Sequence, residues 1–333
     1  MVGTRLWPMV PPGMAAILRY HRVAGHLAPL SVTAREFESQ LRFLRRRCTV
    51  VSAAEIASAV AEERSLPPRA VAITFDDGYE DNVSQALPLL QRYELPATFF
   101  VTAGWIGTEH IFWWDRLHEF VHEAAREGSR PVEFAELPEP VAAVLRAAGP
   151  ALRTRAGAIR LEGKLVAALR SLGAPPEELD VAVENIAAAL GCGEVDTDRY
   201  RAMDWDQVRA LRDAGMGIGS HSAHHARLAT VPPERAYAEL EESKTIIEQE
   251  LEQAVTLLAY PAGDCNQDAV DLADEAGYQA AFTTESGPVR PGDDVFRLRR
   301  IGVWTGGYRG VFRRFSPSVF GLQVGRLTRQ EQA

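Results

Sequence analysis

Six short apolar runs, at 14–20, 71–75, 97–101, 216–220, 256–260 and 280–284, each give way to small or polar residues and then to helical periodicity. Runs of that length without polar alternation suit strands buried on both faces, and helical stretches between them suit parallel crossovers. An α/β fold around a parallel sheet is therefore expected. Amphipathic stretches at 34–47, 83–93, 204–214 and 232–253 supply the helical layer. The last carries Leu240, Ile247 and Leu251 on one stripe, with Glu239, Glu241, Glu242 and Glu248 reading as a solvated face. Residues 107–201 break the rhythm. They are rich in Ala, Leu, Arg and Glu, and Pro138, Pro140, Pro150, Pro175 and Pro176 cut them into helix-sized pieces, as in a helical insertion between strands. The tail 311–333 has weak pattern.

With 333 residues, 46% of them hydrophobic, the chain can bury a large core. A net charge of -9 argues against nucleic acid as a partner, which would call for a basic face, and favours a neutral or cationic substrate. Cys48, Cys192 and Cys265 are odd in number and widely spaced, so they read as small buried hydrophobes rather than a disulfide framework or thiolate site. Pro8, Pro11 and Pro12 interrupt the start of the chain, and no apolar run long enough for a signal peptide or a transmembrane segment follows. Cytoplasmic residence is the expectation.

The sharpest chemical signal is Val71-Ala72-Ile73-Thr74-Phe75-Asp76-Asp77-Gly78, an apolar strand ending in two carboxylates and a glycine. Catalytic groups of parallel α/β folds sit at that end of a strand. Adjacent aspartates repel, and a bound divalent cation relieves the repulsion. The plain alternative is that one aspartate caps the following helix. A second signal, Ser220-His221-Ser222-Ala223-His224-His225, also ends an apolar run, and histidines four apart converge on one metal if a helical turn holds them. Taken together, Asp77, His221 and His225 are the expected ligands, leaving positions open for water and substrate. Asp76 is then the candidate general base on the activated water, attacking an acyl carbonyl. The turn Tyr260-Pro261-Ala262-Gly263 is a candidate oxyanion site, with the Ala262 N–H as donor, or simply a strand-ending turn.

These residues resemble the polysaccharide deacetylase (NodB-homology) family, the family-four carbohydrate esterases. Thr74 to Gly78 with Asn82 is similar to its first motif, His221 to His225 with Leu228 to its second, and Tyr260 to Gly263 to a variant of its third. The similarity extends to Leu95-Pro96-Ala97-Thr98-Phe99-Phe100-Val101, Met203-Asp204-Trp205 and Leu298-Arg299-Arg300-Ile301. The resemblance spans most of 14–310 as one deacetylase domain, interrupted by the insertion at about 107–201. It implies a distorted (β/α) barrel of about seven strands, one divalent metal (Zn2+ first, with Co2+, Mn2+ or Ni2+ as alternatives), and hydrolysis of the N-acetyl amide of an amino sugar.

Two departures stand out. Ala259 occupies the place of an arginine that orients the catalytic aspartate in many members, and no histidine follows His225 to serve as the usual general acid. Leu18-Arg19-Tyr20-His21-Arg22-Val23 is similar to the first strand of a subgroup resembling the poly-N-acetylglucosamine deacetylases, in which the histidine comes first. This makes His21 the general-acid candidate and Arg300 the substitute arginine beside Asp76, with Asn82 near the site. Trp113-Trp114-Asp115 reads as an anchor of the insertion, or as a rim on which sugars stack. A catalytically dead glycan-binding barrel and a hydrolase of small non-sugar amides are the rival functions. The identity of the glycan and the oligomeric state are not readable from the sequence.

Overall fold

The computed structural model describes residues 13–24, 30–128, 136–148, 154–193, 196–305 and 320. The expectation for the tail 311–333 thus falls, Phe320 apart, outside the described residues, as does the proline-interrupted start. The chain divides into two compact units, one of Met1–Thr108 with Ala202–Ala333 and the other of Glu109–Arg201.

The first unit is a parallel (β/α) structure. Its strands are β1 (Ala15–Tyr20), β2 (Arg22–Val23), β3 (Ser31–Val32), β4 (Thr49–Val50), β5 (Ala70–Phe75), β6 (Thr98–Val101), β7 (Gly217–Ser220), β8 (Leu257–Ala259), β9 (Ala280–Phe282) and β10 (Ile301–Gly302). Eight of them form one sheet in the order β10-β1-β5-β6-β7-β8-β9, with β4 added beside β5, and every pairing is parallel. The segment 298–302 bridges the two edges. Leu298 pairs with Phe282 of β9, while Ile301 and Gly302 pair with Leu18 and Arg19 of β1. One short stretch of chain thereby closes the sheet into a distorted barrel, the architecture implied by the resemblance. Strand β10 is only two residues long, too short to give a hydrophobic run in the sequence.

Side chains alternate along each strand. Leu18, Tyr20, Val71, Ile73, Phe75 and Phe99 face outward into the core shared with helices α1 (Ala34–Arg47), α3 (Leu87–Tyr93), α8 (Trp205–Asp213), α9 (Pro233–Leu251) and α10 (Gln267–Glu275). Tyr20, Phe75 and Phe99 stack in sequence there, with ring centroids 5.3 and 4.8 Å apart. Ile17, Ala72, Phe100, Ala259 and Phe282 form a second cluster with α2 (Ala53–Ala61). Gly219 of β7 is required by this packing, because a Cβ there would lie 2.6 Å from the Phe100 ring. Helices α1, α2 and α8 begin with reciprocal capping boxes, Thr33 with Glu36, Ser52 with Glu55 and Asp204 with Gln207.

The chain departs from the barrel after Gly107 and rejoins it at Met203, and the Gly107 N–H donates to the Met203 carbonyl at 2.8 Å. The second unit is a set of helices, α4 (Trp113–Glu127), α5 (Glu139–Arg146), α6 (Arg155–Ser171) and α7 (Pro176–Leu190), around its own core of Leu117, Val121, Leu145, Leu165, Val183 and Ile186. Trp113 belongs to that core, and Trp114 stacks on Phe112 at 4.4 Å. Both side chains pack within the helical unit itself. No helix among the described residues is long and apolar enough to cross a membrane.

The three cysteines are free and half-buried. Burial pushes the Cys48 thiol up to about 11, so at pH 8 only about one thiol in a thousand is ionised. Alkylation at pH 8 is expected to be slow at Cys48 in the native protein and fast in urea. Equal rates by mass spectrometry in the two states would refute that shielding.

Candidate active site

The parallel register brings the carboxyl ends of the strands to one rim. Tyr20 pairs with Phe75, and Val101 with Ser220. The residues that follow these strands, His21, Asp76, Asp77 and His221, therefore emerge together, as catalytic residues do in parallel barrels. Asp76 continues the alternation Ala72, Thr74, Asp76. Its backbone N–H donates to the Tyr20 carbonyl at 3.0 Å, extending the β1–β5 ladder by one step.

Arg300 meets Asp76 in a bidentate pair, Nη1 to Oδ1 at 2.6 Å and Nη2 to Oδ2 at 2.8 Å. Its Nε donates to the Thr283 carbonyl at 2.9 Å, and its guanidinium lies over the rings of Phe100 and Phe282. Arg300 is 0% exposed and Asp76 1%. Burial alone would raise the pKa of Asp76, but the charge and hydrogen bonds of Arg300, helped by the nearby His221 and His21, reverse this and hold it well below the usual carboxylate range. Arg300, from the strand-closing segment, thus stands against Asp76, as the resemblance implied for it.

Asp77 turns away from Asp76 because it adopts the left-handed region, with φ 77°. Its Oδ1 lies 3.4 Å from His221 Nε2 and 3.6 Å from His225 Nε2. Three ligands about 2.1 Å from a tetrahedral metal would sit roughly 3.4 Å apart, so the spacing suits one ion. His221 Nδ1 donates to the Ala259 carbonyl at 2.7 Å, which leaves Nε2 as the lone-pair nitrogen facing Asp77. Burial pushes Asp77 up, but a protonated His221 facing it, with the charges of His21 and His225, brings it below its ordinary value.

The histidines do not ride on a helical turn, as their spacing suggested. Residues 221–225 form an irregular loop in which Ser222 and His225 take φ 60° and 59°. Backbone strain of this kind persists where the surroundings enforce it, and here they do. The loop is held by His221 N–H to the Val101 carbonyl at 2.8 Å, Ala103 N–H to the Ser222 carbonyl at 3.2 Å and Gly104 N–H to the Ala223 carbonyl at 2.9 Å. Glu239 also holds it. That side chain is 4% exposed and accepts from the His224 backbone N–H at 2.7 Å, with His224 Nδ1 3.2 Å away. Reading Glu239 as part of a solvated face was wrong. It lies on the buried stripe of α9 with Ala236, Leu240 and Ser243, a position the helical period could have identified.

His21 sits where β1 ends. Its backbone carbonyl accepts from Asn82 Nδ2 at 2.8 Å. The same loop is tied by Asp81, which accepts from Arg22 Nε at 2.8 Å and from the Val23 N–H at 3.1 Å. Asn82 is fully buried and makes its contact with the His21 carbonyl from the start of a π-helical turn, so it positions His21. Desolvation lowers the His21 imidazole to about 4, against the pull of the Asp77 carboxylate and with some help from Arg19. At neutral pH His21 is therefore uncharged.

Ala262 occupies the turn after β8 with φ 58°, and Gly263 follows with φ 72°. A Cβ at Gly263 would collide with Thr284 Oγ1 at 2.1 Å, so the turn needs glycine there. Arg227 Nη2 donates to Asp264 Oδ2 at 2.5 Å and joins this turn to the histidine loop. The Tyr260 ring is packed in the outer core with its hydroxyl buried and unpartnered, which leaves only its backbone to line the site. The residues missed by sequence reasoning are Glu239, Asp81 and the Thr74–Thr283 cradle of Arg300. Of these only Thr74 lies in a quoted motif, where its contact with Arg300 was not foreseen.

Comparison with known proteins adds to this geometry. The family model described as "Polysaccharide deacetylase" matches residues 63–135 and 184–281, just over half of the chain. YxkH of Bacillus subtilis (strain 168) is 21% identical over 314 residues, covering 94% of this chain and 77% of that protein. The poly-beta-1,6-N-acetyl-D-glucosamine N-deacetylase of Escherichia coli (strain K12) is 33% identical over 112 residues, which are 32% of this chain and 16% of that protein. Among solved structures, the Streptococcus pyogenes deacetylase PplD, in complex with acetate, superposes with a TM-score of 0.59 at 18% identity, covering 94% of this chain and 99% of that one. This last similarity bears on the fold.

Proposed function

The chain belongs to the polysaccharide deacetylase family, and from that premise we propose that it removes the acetyl group from the nitrogen of an N-acetylated amino sugar within a glycan, using a divalent metal at Asp77, His221 and His225. The observation that carries this is the pairing of two units at one rim: a buried carboxylate clamped by Arg300, and beside it an Asp-His-His cluster with the spacing of a single ion. Two imidazoles and one carboxylate suit zinc or another first-row divalent ion. Such an ion supplies the positive charge that polarises the acyl carbonyl and acidifies the attacking water.

The remaining work falls to the chain's own groups. Asp76, kept ionised and aimed by Arg300, accepts the proton of the attacking water. Its lowered pKa lets it pass that proton on readily. His21, uncharged at rest, takes up the proton during turnover and delivers it to the leaving amine. The Ala262 N–H donates to the oxyanion. Water and amide are thereby converted to acetate and a free amine.

The test is acetate release by zinc-reloaded protein from β-1,4- and β-1,6-linked N-acetylglucosamine oligomers, from monosaccharide conjugates and from cyclic amides. Turnover of the amino-sugar oligomers is expected, with little or none of the cyclic amides. Turnover of cyclic amides alone would replace this reading with the small-amide one.

A further inference from the structure

The helical unit holds a second set of metal-ligating side chains, formed without any residue of the barrel. Helix α4 presents His118 and His122, one helical turn apart on the same face, with ring centroids 4.3 Å apart. Glu162 of α6 reaches between them. Its Oε1 lies 3.1 Å from His118 Nδ1 and its Oε2 3.2 Å from His122 Nε2. The ligand atoms of the three residues all fall within 4.8 Å of one another. Their side chains are 16%, 23% and 15% exposed, so the cluster is partly desolvated yet reachable. Each imidazole meets a different carboxylate oxygen, so one ion could be held with Glu162 bidentate, or by a single oxygen after a small rotation of the carboxylate.

His118 and His122 line a cavity of about 330 Å³ together with Glu119, Arg126, Arg155 and Arg199, of which Arg126 and Arg199 pair with Glu123 and Asp196. The sequence His118-Glu119-Phe120-Val121-His122 has the spacing in which a helix supplies two zinc ligands and the intervening glutamate acts as a base. Glu119 is not free for that role here, since its Oε1 accepts from the Tyr200 hydroxyl at 2.5 Å and lies 4.0 Å from Arg199 Nη1. The arrangement is one that binds and clips rather than hydrolyses.

We propose that the helical unit binds one divalent transition-metal ion of the zinc class through His118, His122 and Glu162, clipping α4 to α6 and leaving an open coordination position toward the cavity that the two histidines line. The competing account is a Glu162 carboxylate that merely hydrogen-bonds two imidazoles.

The experiment uses the full chain with the barrel cluster disabled, His221→Ala/His225→Ala, titrated with zinc chloride by calorimetry and followed by thermal denaturation. One equivalent is expected to bind. The midpoint should rise by roughly 5 °C at zinc about a hundredfold above Kd, and adding Glu162→Gln should abolish both effects. A folded barrel-disabled protein that binds no zinc would overturn the proposal in favour of the hydrogen-bonded clip. Should that variant not fold, elemental analysis of the parent and of His118→Ala/Glu162→Gln with an intact barrel decides. A fall from two equivalents to one supports the site, and an unchanged metal content refutes it. Neither readout depends on the deacetylase reaction.

Discussion

Replacing Arg300 with methionine is expected to destabilise the protein by about 3–5 kcal/mol at neutral pH, the range for a buried ion pair that loses one partner. Methionine fills similar space between Phe100 and Phe282, so the loss comes mainly from Asp76, left 1% exposed with no counter-charge. The pH dependence has a definite sign. In the parent the folded pKa of Asp76 is depressed, so the pair contributes stability above the ordinary carboxylate range and loses it as pH falls through the folded value. In Arg300→Met the largest influence opposing desolvation is gone and the folded pKa rises, so the penalty is present at neutral pH and is relieved on acidification. Urea midpoints of parent and variant should therefore converge as the pH is lowered toward 4. Adding Asp76→Leu to Arg300→Met should recover part of the loss, because removing both charges removes the uncompensated one. Equal urea midpoints for parent and Arg300→Met at pH 7 would mean that the pair is not desolvated as its burial indicates.

Most of the barrel could be read from the sequence because its long strands are buried on both faces and leave unbroken apolar runs, as in β1 and β5. The elements that escaped were too short for periodicity to register, namely β4 and β10 at two residues each. Helix α2, with Ser52 and Glu55 as its capping box, carried a signal that was not used. The missed β10 has the larger consequence, since the segment leading into it closes the barrel and places Arg300 against Asp76. Arg300 was placed beside Asp76 by the resemblance carried in Leu298-Arg299-Arg300-Ile301 and not by any pattern local to Asp76, from which it is 224 residues away. Similarly, Asp77, His221 and His225 were legible as a set because each follows a strand. The loop carrying the two histidines was not, because its left-handed residues are Ser222 and His225 rather than glycine. Glu239 was misread for a different reason. Charge was weighed ahead of helical phase, although the residue falls on the buried stripe of α9. The zinc-like spacing of His118 and His122 was legible and not used, whereas the third group, Glu162, is 40 residues away from His122 and joins it only through the packing of α6 on α4.

Asp76→Asn is expected to lower kcat by about 10²–10⁴, the usual contribution of a positioned general base, while KM and metal content at the barrel site change little. The substitution keeps the shape of the side chain, and Asp77, His221 and His225 keep theirs. Its side effect is structural: an asparagine can accept only one of the two Arg300 hydrogen bonds and turns a donor toward the other, so some stability is lost as well. Thermal denaturation must accompany the kinetics, and the comparison belongs at a temperature where both proteins are fully folded. The shape of the pH profile adds a second constraint. Because Arg300 keeps Asp76 ionised far into acid, kcat/KM should show no acid limb at the ordinary aspartate value near 4 that disappears in Asp76→Asn. A kcat within about threefold of the parent would remove Asp76 from the proton transfer and shift the role of acceptor to His21, which is uncharged at neutral pH and shares the same rim. If instead the parent releases no acetate from any amino sugar, yet parent and Asp76→Asn bind N-acetylglucosamine oligomers equally well, the barrel recognises glycans without cutting them, and the Arg300–Asp76 pair serves to hold its shape.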